Sequence, residues 1–541
     1  MRFAAAVFLW LCLVCNPLWA APKIIHYGWD TPDTAALRAN IQEIEKLPFD
    51  GMVIRIFPAD PVKSGNASIS RRPFSRKRYT AEEYQHAIDD LKAVKFTRFT
   101  DNFIQCVAQP GDLDWFDPEW SSAAHNGGIL ARLAKEAGFK GIMFDPELYG
   151  PSKYWSYQYL SQTYKNGRTF NQYQAQVRRR GKEFIQAINA EMPDIVILTL
   201  FGPSLPYQQS LNSPLKDCEY ALSASFYDGM CEGATPGTVI VDGYEQSYNY
   251  RFREAFTEAR KYMLTGPKSV SHDPKAYAQH VRAGFGIWAD FNSGKLGWHP
   301  DDLTQNYFTP KQLRNSIAYA LANTDGYVWV YNERLRWWDG TAPKEFVEAL
   351  ALAKAGPGPV EPATISIAGV PKASDAPDYA DDKTFPRLGS NLKPIFDLPK
   401  AGWKFRTDSE RAGEKNKWYA PTFDDSSWRK IKIAEFWEEQ IGPYDGSAWY
   451  RLRFRAPSIK TKNPIMLAFG AADETATVWL NGKLIGVHDM WDFGWNTPFM
   501  FDVTSRLKQG KDNLIAVRVF DNFGGGGLWK SIKLMEKTAA K

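Results

Sequence analysis

The chain has 541 residues, 44% of them hydrophobic and 23% charged, which is ample length for two domains with substantial cores. Its formal charge is +5, or +4 without Arg2, and this near neutrality argues against a nucleic-acid track; the arginine clusters at 71–78 and 178–180 read as solvated loop and helix surface. No group of His, Cys, Asp and Glu has metal-ligand spacing, and no glycine loop has a phosphate-cradling pattern.

Residues 1–21 open with Met1-Arg2, continue through an apolar stretch to Val14, and end in Leu18-Trp19-Ala20-Ala21. That is the layout of a secretory signal peptide, with cleavage expected near Ala20 or Ala21 and a periplasmic or secreted mature protein. The stretch is too short to span a bilayer, no later segment has about 18 consecutive apolar residues, and stable membrane insertion is not expected. Beyond it remain Cys106, Cys218 and Cys231. An oxidising compartment allows one bridge, with Cys218–Cys231 the favoured pair and Cys106 buried on a strand.

Residues 22–355 alternate strand-like and amphipathic helical runs, the pattern of βα units around a parallel sheet. Candidate strands lie at 24–29, 51–57, 98–106, 141–145, 195–201, 238–244, 283–289 and 326–331, with helical runs at 34–46, 81–94, 128–137, 171–190 and 310–322. Eight such units predict an α/β fold closed as a (β/α)8 TIM barrel. The segment 220–230 reads as loop or helix, because a strand there would make a ninth.

Three of these runs end in a glutamate: 141–147 (GIMFDPE), 238–245 (TVIVDGYE) and 326–333 (GYVWVYNE). Carboxylates at the C-terminal ends of barrel strands sit where such barrels build active sites, and paired carboxylates are what glycosidic bond cleavage requires. Glu147 is the expected general acid. Asp145 shares its strand face, and two close carboxylates repel each other's ionisation, which raises one pKa towards neutrality. A bland alternative pairs Asp145 with a barrel arginine such as Arg55. Glu245 and Glu333 compete for nucleophile or base, with Glu245, near Asp242 and Tyr244, slightly ahead. Glu333 precedes Arg334 and Arg336, and a plain ion pair is its alternative.

Aromatic residues make 14% of the chain, and flat rings stack on the C–H faces of sugars. Most are expected in the core, but they crowd the strand ends: Tyr149, Tyr154, Trp155, Tyr157 and Tyr159 after Glu147, and Trp329, Tyr331, Trp337 and Trp338 around Glu333. Further candidate substrate contacts at strand ends are His26, Trp29, Asp30, Arg55, Asp101, Asn102, Trp288 and Asp290, the mixed polar and aromatic lining that hydroxyl-rich ligands favour.

Residues 356–395 are rich in proline, alanine and glycine and read as a linker. Residues 396–541 become all-β, with short alternating runs at 449–454, 465–469, 476–480, 499–503 and 514–520 separated by turn signals such as Asn481-Gly482, which predicts a jelly-roll sandwich. Along it follow, in order, FDDSSW at 423–428, GSAWYR at 446–451, LAFGAAD at 467–473, VWLNG at 478–482, FDVT at 501–504 and GGLW at 526–529. This succession resembles the sugar-binding jelly-roll domain of β-galactosidase and β-glucuronidase type enzymes in glycoside hydrolase family 2, within the galactose-binding-domain-like superfamily. The resemblance implies either a structural accessory to the barrel or a glycan-holding module with Trp491, Trp495 and Trp529 as contacts.

The Asn-Glu of the family 2 barrel is absent at strand four, where Asp145-Pro146-Glu147 stands. A D-x-E there is similar to chitinase-like and hexosaminidase-like barrels, which implies that Glu147 is the acid and that Asp145 orients a substrate acetamido group. The expectation is an exported glycoside hydrolase acting on a polysaccharide or oligosaccharide without cofactor. Its rivals are a non-catalytic carbohydrate-binding protein and a polysaccharide lyase.

Overall fold

The computed structural model describes residues 21–60, 68–149, 153–158, 167–211, 213–359, 384–489, 494–522 and 524–538. Residues 1–20, where a signal peptide is expected, most of the 356–395 stretch, Tyr159 and Trp491 lie outside the described residues.

The first half is a parallel barrel. Its strands are β1 (Lys23–Gly28), β2 (Gly51–Ile54), β3 (Phe103–Val107), β4 (Gly141–Asp145), β5 (Val196–Thr199), β6 (Val239–Asp242), β7 (Val281–Ala283), β8 (Phe285–Trp288) and β9 (Tyr327–Asn332). They pair in the order β7-β6-β5-β4-β3-β2-β1-β9-β8. β7 and β8 are one barrel strand interrupted at Gly284, β7 pairing with β6 and β8 with β9, so the ring closes as eight strands. The Gly284 N–H stays in the ladder, bonded to Asp242 O at 2.8 Å. A Cβ at Gly284 would lie 2.6 Å from Val241 Cγ1, so the side-chain-free residue is what lets the strand bend past β6.

All eight predicted strands are present, because strands buried on both faces read as continuous apolar runs. Alternation along each strand sorts residues to two cores. Ile25, Tyr27, Val53, Phe103, Met143, Leu198, Leu200, Val241, Tyr327 and Trp329 fill the barrel interior. Their neighbours, among them Ile24, Ile54, Ile104, Ile142, Ile197 and Ile240, pack outward on the helices.

The longest helix, Phe170–Glu191, starts at a Thr169/Gln172 capping box. It crosses the helix Ser223–Gly233 closely: a Cβ on Gly181 would meet Phe226 O at 2.0 Å, and one on Gly229 would meet Arg178 O at 1.9 Å. The second helix confirms that 220–230 carries no strand. Where strand three was expected from residue 98, the chain instead wraps a carboxylate. Glu45 accepts the main-chain N–H groups of Thr97, Arg98 and Phe99 at 2.8–3.1 Å, which holds that segment out of the ladder until Phe103. The helix expected at 128–137 begins seven residues earlier, at Ser121.

The expected Cys218–Cys231 bridge does not form; both thiols are free and buried, as is Cys106 on β3. Cys218 Sγ points back to the carbonyls of Ser213 and Pro214, while Cys231 lies on the buried face of the Ser223–Gly233 helix.

The second half is an antiparallel sandwich whose first strand, β10 (Leu392–Asp397), begins inside the 356–395 stretch. One sheet runs β10-β19-β14-β17, with β14 (Ile465–Phe469), β17 (Phe499–Asp502) and β19 (Ile532–Lys537). The other runs β12-β11-β13-β18-β15-β16, with β11 (Trp403–Thr407), β12 (Arg429–Ile431), β13 (Gly446–Arg455), β15 (Thr475–Leu480), β16 (Lys483–Asp489) and β18 (Asp512–Asp521). Their inner faces meet in an apolar core around Phe405, Tyr450, Phe469 and Val517.

The two halves are joined by a buried ion pair. Arg251 Nη1 lies 3.3 Å from Asp445 Oδ2, both side chains under 5% exposed, and the guanidinium sits 3.6 Å above the Tyr307 ring. Phe252 packs edge-on to Phe520, and Arg411 pairs with Glu254 at 2.8 Å. Among the described residues, no helix is long and apolar enough to cross a membrane.

Candidate active site

A cleft of about 580 Å³ opens at the C-terminal ends of the barrel strands. It is lined by Tyr27 on β1 and Trp29 after it, Arg55 and Arg71 after β2, Gln105 and Val107 on β3, and Asp145 at the end of β4 with Glu147 and Tyr149 beyond it. Leu200, Glu245, Tyr248, Trp288, Tyr331 and Glu333 complete the wall.

Asp145 is the last residue of β4 and shares the inward face with Met143. Its Oδ1 accepts the Glu147 N–H at 2.9 Å and its Oδ2 accepts the Tyr149 hydroxyl at 3.0 Å. Burial, then the Glu147 charge, pushes its carboxyl from 3.8 up to about 7. The carboxylate raised towards neutrality is therefore the interior partner of the D-x-E pair. Among the described residues no ion pair joins Asp145 to Arg55; Arg55 instead donates to Gly28 O at 3.2 Å.

Glu245 opens a short turn of helix directly after β6, reached through Tyr244, whose φ of 43° swings the chain inward. Burial, then the charges of Glu147 and Asp145, lift the Glu245 carboxyl well above its ordinary range, against a hydrogen bond from Tyr248. Glu147, Asp145 and Glu245 thus act on one another electrostatically across one cavity. Glu333, after β9, is raised by burial and by Asp290 and lies against the Tyr331 hydroxyl at 3.4 Å.

Residues lining the cleft also carry buried polar atoms that the fold leaves unused. Glu245 Oε2, Arg55 Nε and Gln105 Oε1 are buried with no hydrogen-bond partner among the described residues. Gln105 donates to Tyr27 OH at 2.7 Å, so that phenol and amide form the floor. Tyr248 stacks on Tyr331 at 5.5 Å and 13°, and Trp29, 62% exposed, donates its indole N–H to Tyr331 OH at 2.6 Å.

Of the expected contacts, Trp29, Arg55, Tyr149, Trp288 and Tyr331 line this cleft with the four acidic candidates. The others hold the scaffold. His26 faces outward, bonded to Asp30 and Asn332 and packed edge-on to Phe49 and Trp338. Asp30 accepts from Asn332 and from the Trp337 N–H, and Trp337 is buried against Phe49. Asp101 and Asn102 stand at the opposite end of the barrel, where Asp101 accepts from Tyr327 OH and Asn102 bonds Met52 N. Asp242 faces outward, its carboxylate holding the Ser204 and Tyr244 N–H groups, and burial raises it to about 6. Tyr244 is buried and bonded to Gln208. Asp290 caps the 333–335 turn by accepting three main-chain N–H groups. Trp329 lies below the cleft in the barrel interior and donates to Gly243 O at 2.8 Å.

Tyr27, Arg71, Gln105 and Tyr248 were not anticipated. Strand alternation carries the signal for two of them, since Tyr27 shares a face with Ile25 and Gln105 with Phe103. Arg71 and Tyr248 come from loops, which have no periodicity. Tyr154, Trp155 and Tyr157 are core rings, and Trp529, proposed as a glycan contact, is 2% exposed between Phe436 and Trp495.

The family model for the beta-galactosidase second all-beta domain matches residues 413–524, within the sandwich. The chain is 27% identical over 137 residues to a beta-glucuronidase of Formosa agariphila, covering 23% of this chain and 13% of that one. It is 25% identical over 120 residues to a beta-glucuronidase of Paenibacillus borealis, covering 22% of this chain and 20% of that one. The chain thus spans between about an eighth and a fifth of the length of these curated relatives. A solved β-glucuronidase from Ruminococcus gnavus in complex with D-glucaro 1,5-lactone is similar over 28% of this chain and 30% of that one, at 19% identity and a TM-score of 0.24. The sandwich accordingly has the fold of the β-galactosidase second all-beta domain, as the motif succession implied.

Proposed function

We propose that the protein is a glycoside hydrolase that cleaves a polysaccharide or oligosaccharide in the barrel cleft by paired-carboxylate chemistry. The observation that carries this reading is the convergence of Glu147 and Glu245, from the ends of β4 and β6, on one aromatic-walled cavity. Glu147, half-buried at the mouth, serves as general acid to the leaving oxygen. Glu245, held beside Tyr248, acts as nucleophile or base on the opposite side of the sugar. Asp145 stores a proton near neutrality and orients both the Glu147 main chain and Tyr149. Trp29, Trp288, Tyr248 and Tyr331 offer ring faces to the sugar. The β-glucuronidase relatives matched by part of the chain support a carbohydrate substrate.

The test is reducing-sugar release from a broad glycan panel by the parent protein beside Glu147→Gln and Glu245→Gln. The reading expects cleavage that falls by about 10³-fold or more in each variant. Cleavage untouched by both would sink the assignment, and binding without cleavage would favour a carbohydrate-binding protein.

A lyase is the second reading, favoured by Arg55 and Arg71 standing in the cleft with Tyr149 and Tyr248, a cation and phenol set suited to a uronate. A product absorbing in the ultraviolet would select it. The same proposal includes export, supported by the charged and apolar pattern of residues 1–21. Amino-terminal sequencing of protein recovered outside the cytoplasm is expected to start at Ala21 or Pro22, and a start at Met1 would argue against cleavage.

A further inference from the structure

Away from the cleft, one end of the sandwich buries a concentration of carboxyl groups. Asp473 and Glu474 precede β15 and Asp521 ends β18, and an oxygen from each side chain lies within 4.8 Å of the others. None of the three is more than 5% exposed. Glu438 and Asp445 face the same place, for their charges act on Asp521 together with those of Asp473 and Glu474. Glu438 Oε2 accepts the Gly526 N–H at 2.9 Å, and a Cβ on Gly526 would lie 2.5 Å from Asp521 Oδ2.

A second, independent observation lies beside this cluster. Asn522 is 1% exposed and its main-chain N–H binds Glu474 Oε2 at 3.1 Å, yet its side-chain Oδ1 is buried with no donor among the described residues. Glu438 Oε1 is in the same condition. Both acceptor atoms belong to residues that adjoin the cluster, Asn522 through its main-chain bond to Glu474 and Glu438 through its charge on Asp521, and neither has a donor among the described residues. Arg251 brings one positive charge, through Asp445, to a place where five carboxyl groups gather.

The donor set is all oxygen, without imidazole or thiolate, which selects a hard cation. Calcium takes six to eight oxygens at about 2.3–2.6 Å, so oxygens on one shell stand up to about 5 Å apart, matching the spacing here. Magnesium needs a tighter octahedron and keeps several waters, which a cluster this buried does not favour.

We propose that Asp473, Glu474 and Asp521, completed by Asn522 Oδ1 and Glu438, bind one calcium ion beside the junction of sandwich and barrel. The ion neutralises a repulsive cluster that exists only in the folded chain and so stabilises the native state.

Full-length protein stripped with EDTA and dialysed against about 1 mM CaCl₂ is measured for bound metal and for thermal unfolding. One calcium per chain is expected, with a Tm gain of about 2–4 °C or more that MgCl₂ at the same concentration does not reproduce. Asn522→Ala and Asp521→Asn are expected to weaken uptake at least tenfold with an unchanged far-ultraviolet spectrum. Native protein that takes up no calcium and shows no Tm shift overturns the proposal, whatever the variants do. Uptake that survives Asp473→Asn combined with Asp521→Asn overturns the placement.

Discussion

Tyr149 donates its phenolic proton to Asp145 Oδ2 across 3.0 Å, at the point where the exposed rim of the cleft meets its buried floor. Tyr149 is 43% exposed and Asp145 1% exposed, so a residue at the rim tunes the ionisation of one in the interior. The hydrogen bond favours the carboxylate and opposes the burial that lifts Asp145 to about 7. Tyr149→Phe should therefore move a limb of the pH–rate profile upward and lower kcat about tenfold, since a hydrogen bond to a charged group is worth about 1.5–3 kcal/mol. A profile that keeps its limb in Tyr149→Phe would separate that limb from Asp145.

Stability should also carry the mark of Asp145. Its folded value, about 7, lies above its ordinary 3.8 because burial, then Glu147, penalises the charged form. The protonated group therefore favours folding: its contribution is fully present below about pH 4 and is lost as pH rises through about 7. Asp145→Asn removes that dependence, so thermal melts at pH 5 and pH 8 should differ less in the variant than in the parent. Equal pH differences in the two proteins would contradict the assignment.

Trp29 stands at the mouth, 62% exposed and tied to Tyr331 by a 2.6 Å hydrogen bond. An aromatic pair is worth about 0.5–1.5 kcal/mol beyond area burial, and stacking on a sugar face should be of similar size. Trp29→Ala is expected to raise KM about two- to tenfold with kcat and Tm little changed. A collapse of Tm would show that the ring is structural instead.

At the junction, Arg251→Met would leave Asp445 buried without its cation. Removing one partner of a buried pair costs about 3–5 kcal/mol, and adding Asp445→Asn should recover part of it. Chemical denaturation of the single and double variants measures both, and additive losses would argue against direct coupling.

The order of elements was legible in the amino-acid pattern alone. Parallel strands buried on both sides leave uninterrupted apolar runs, and the three that end in Glu147, Glu245 and Glu333 mark the mouth of the barrel. The sandwich was legible through its ordered motifs and its alternating strands. Which neighbour on a strand faces the cleft was decided only by tertiary structure. His26 and Tyr27 are adjacent, and the closed barrel turns Tyr27 inward and His26 out to Phe49 and Trp338. Asp101 and Gln105 belong to one candidate strand, but the grip of Glu45 on residues 97–99 sets where pairing begins, leaving the acid at the far end and the amide in the cleft. Depth, too, was invisible: Trp329 and Tyr331 share a face, and two residues of rise put one under the floor and the other on the wall. Local pattern specifies strand and helix because propensity and periodicity act over a few residues, whereas register, barrel closure and the gathering of Asp473, Glu474 and Asp521 depend on contacts between residues far apart in the chain.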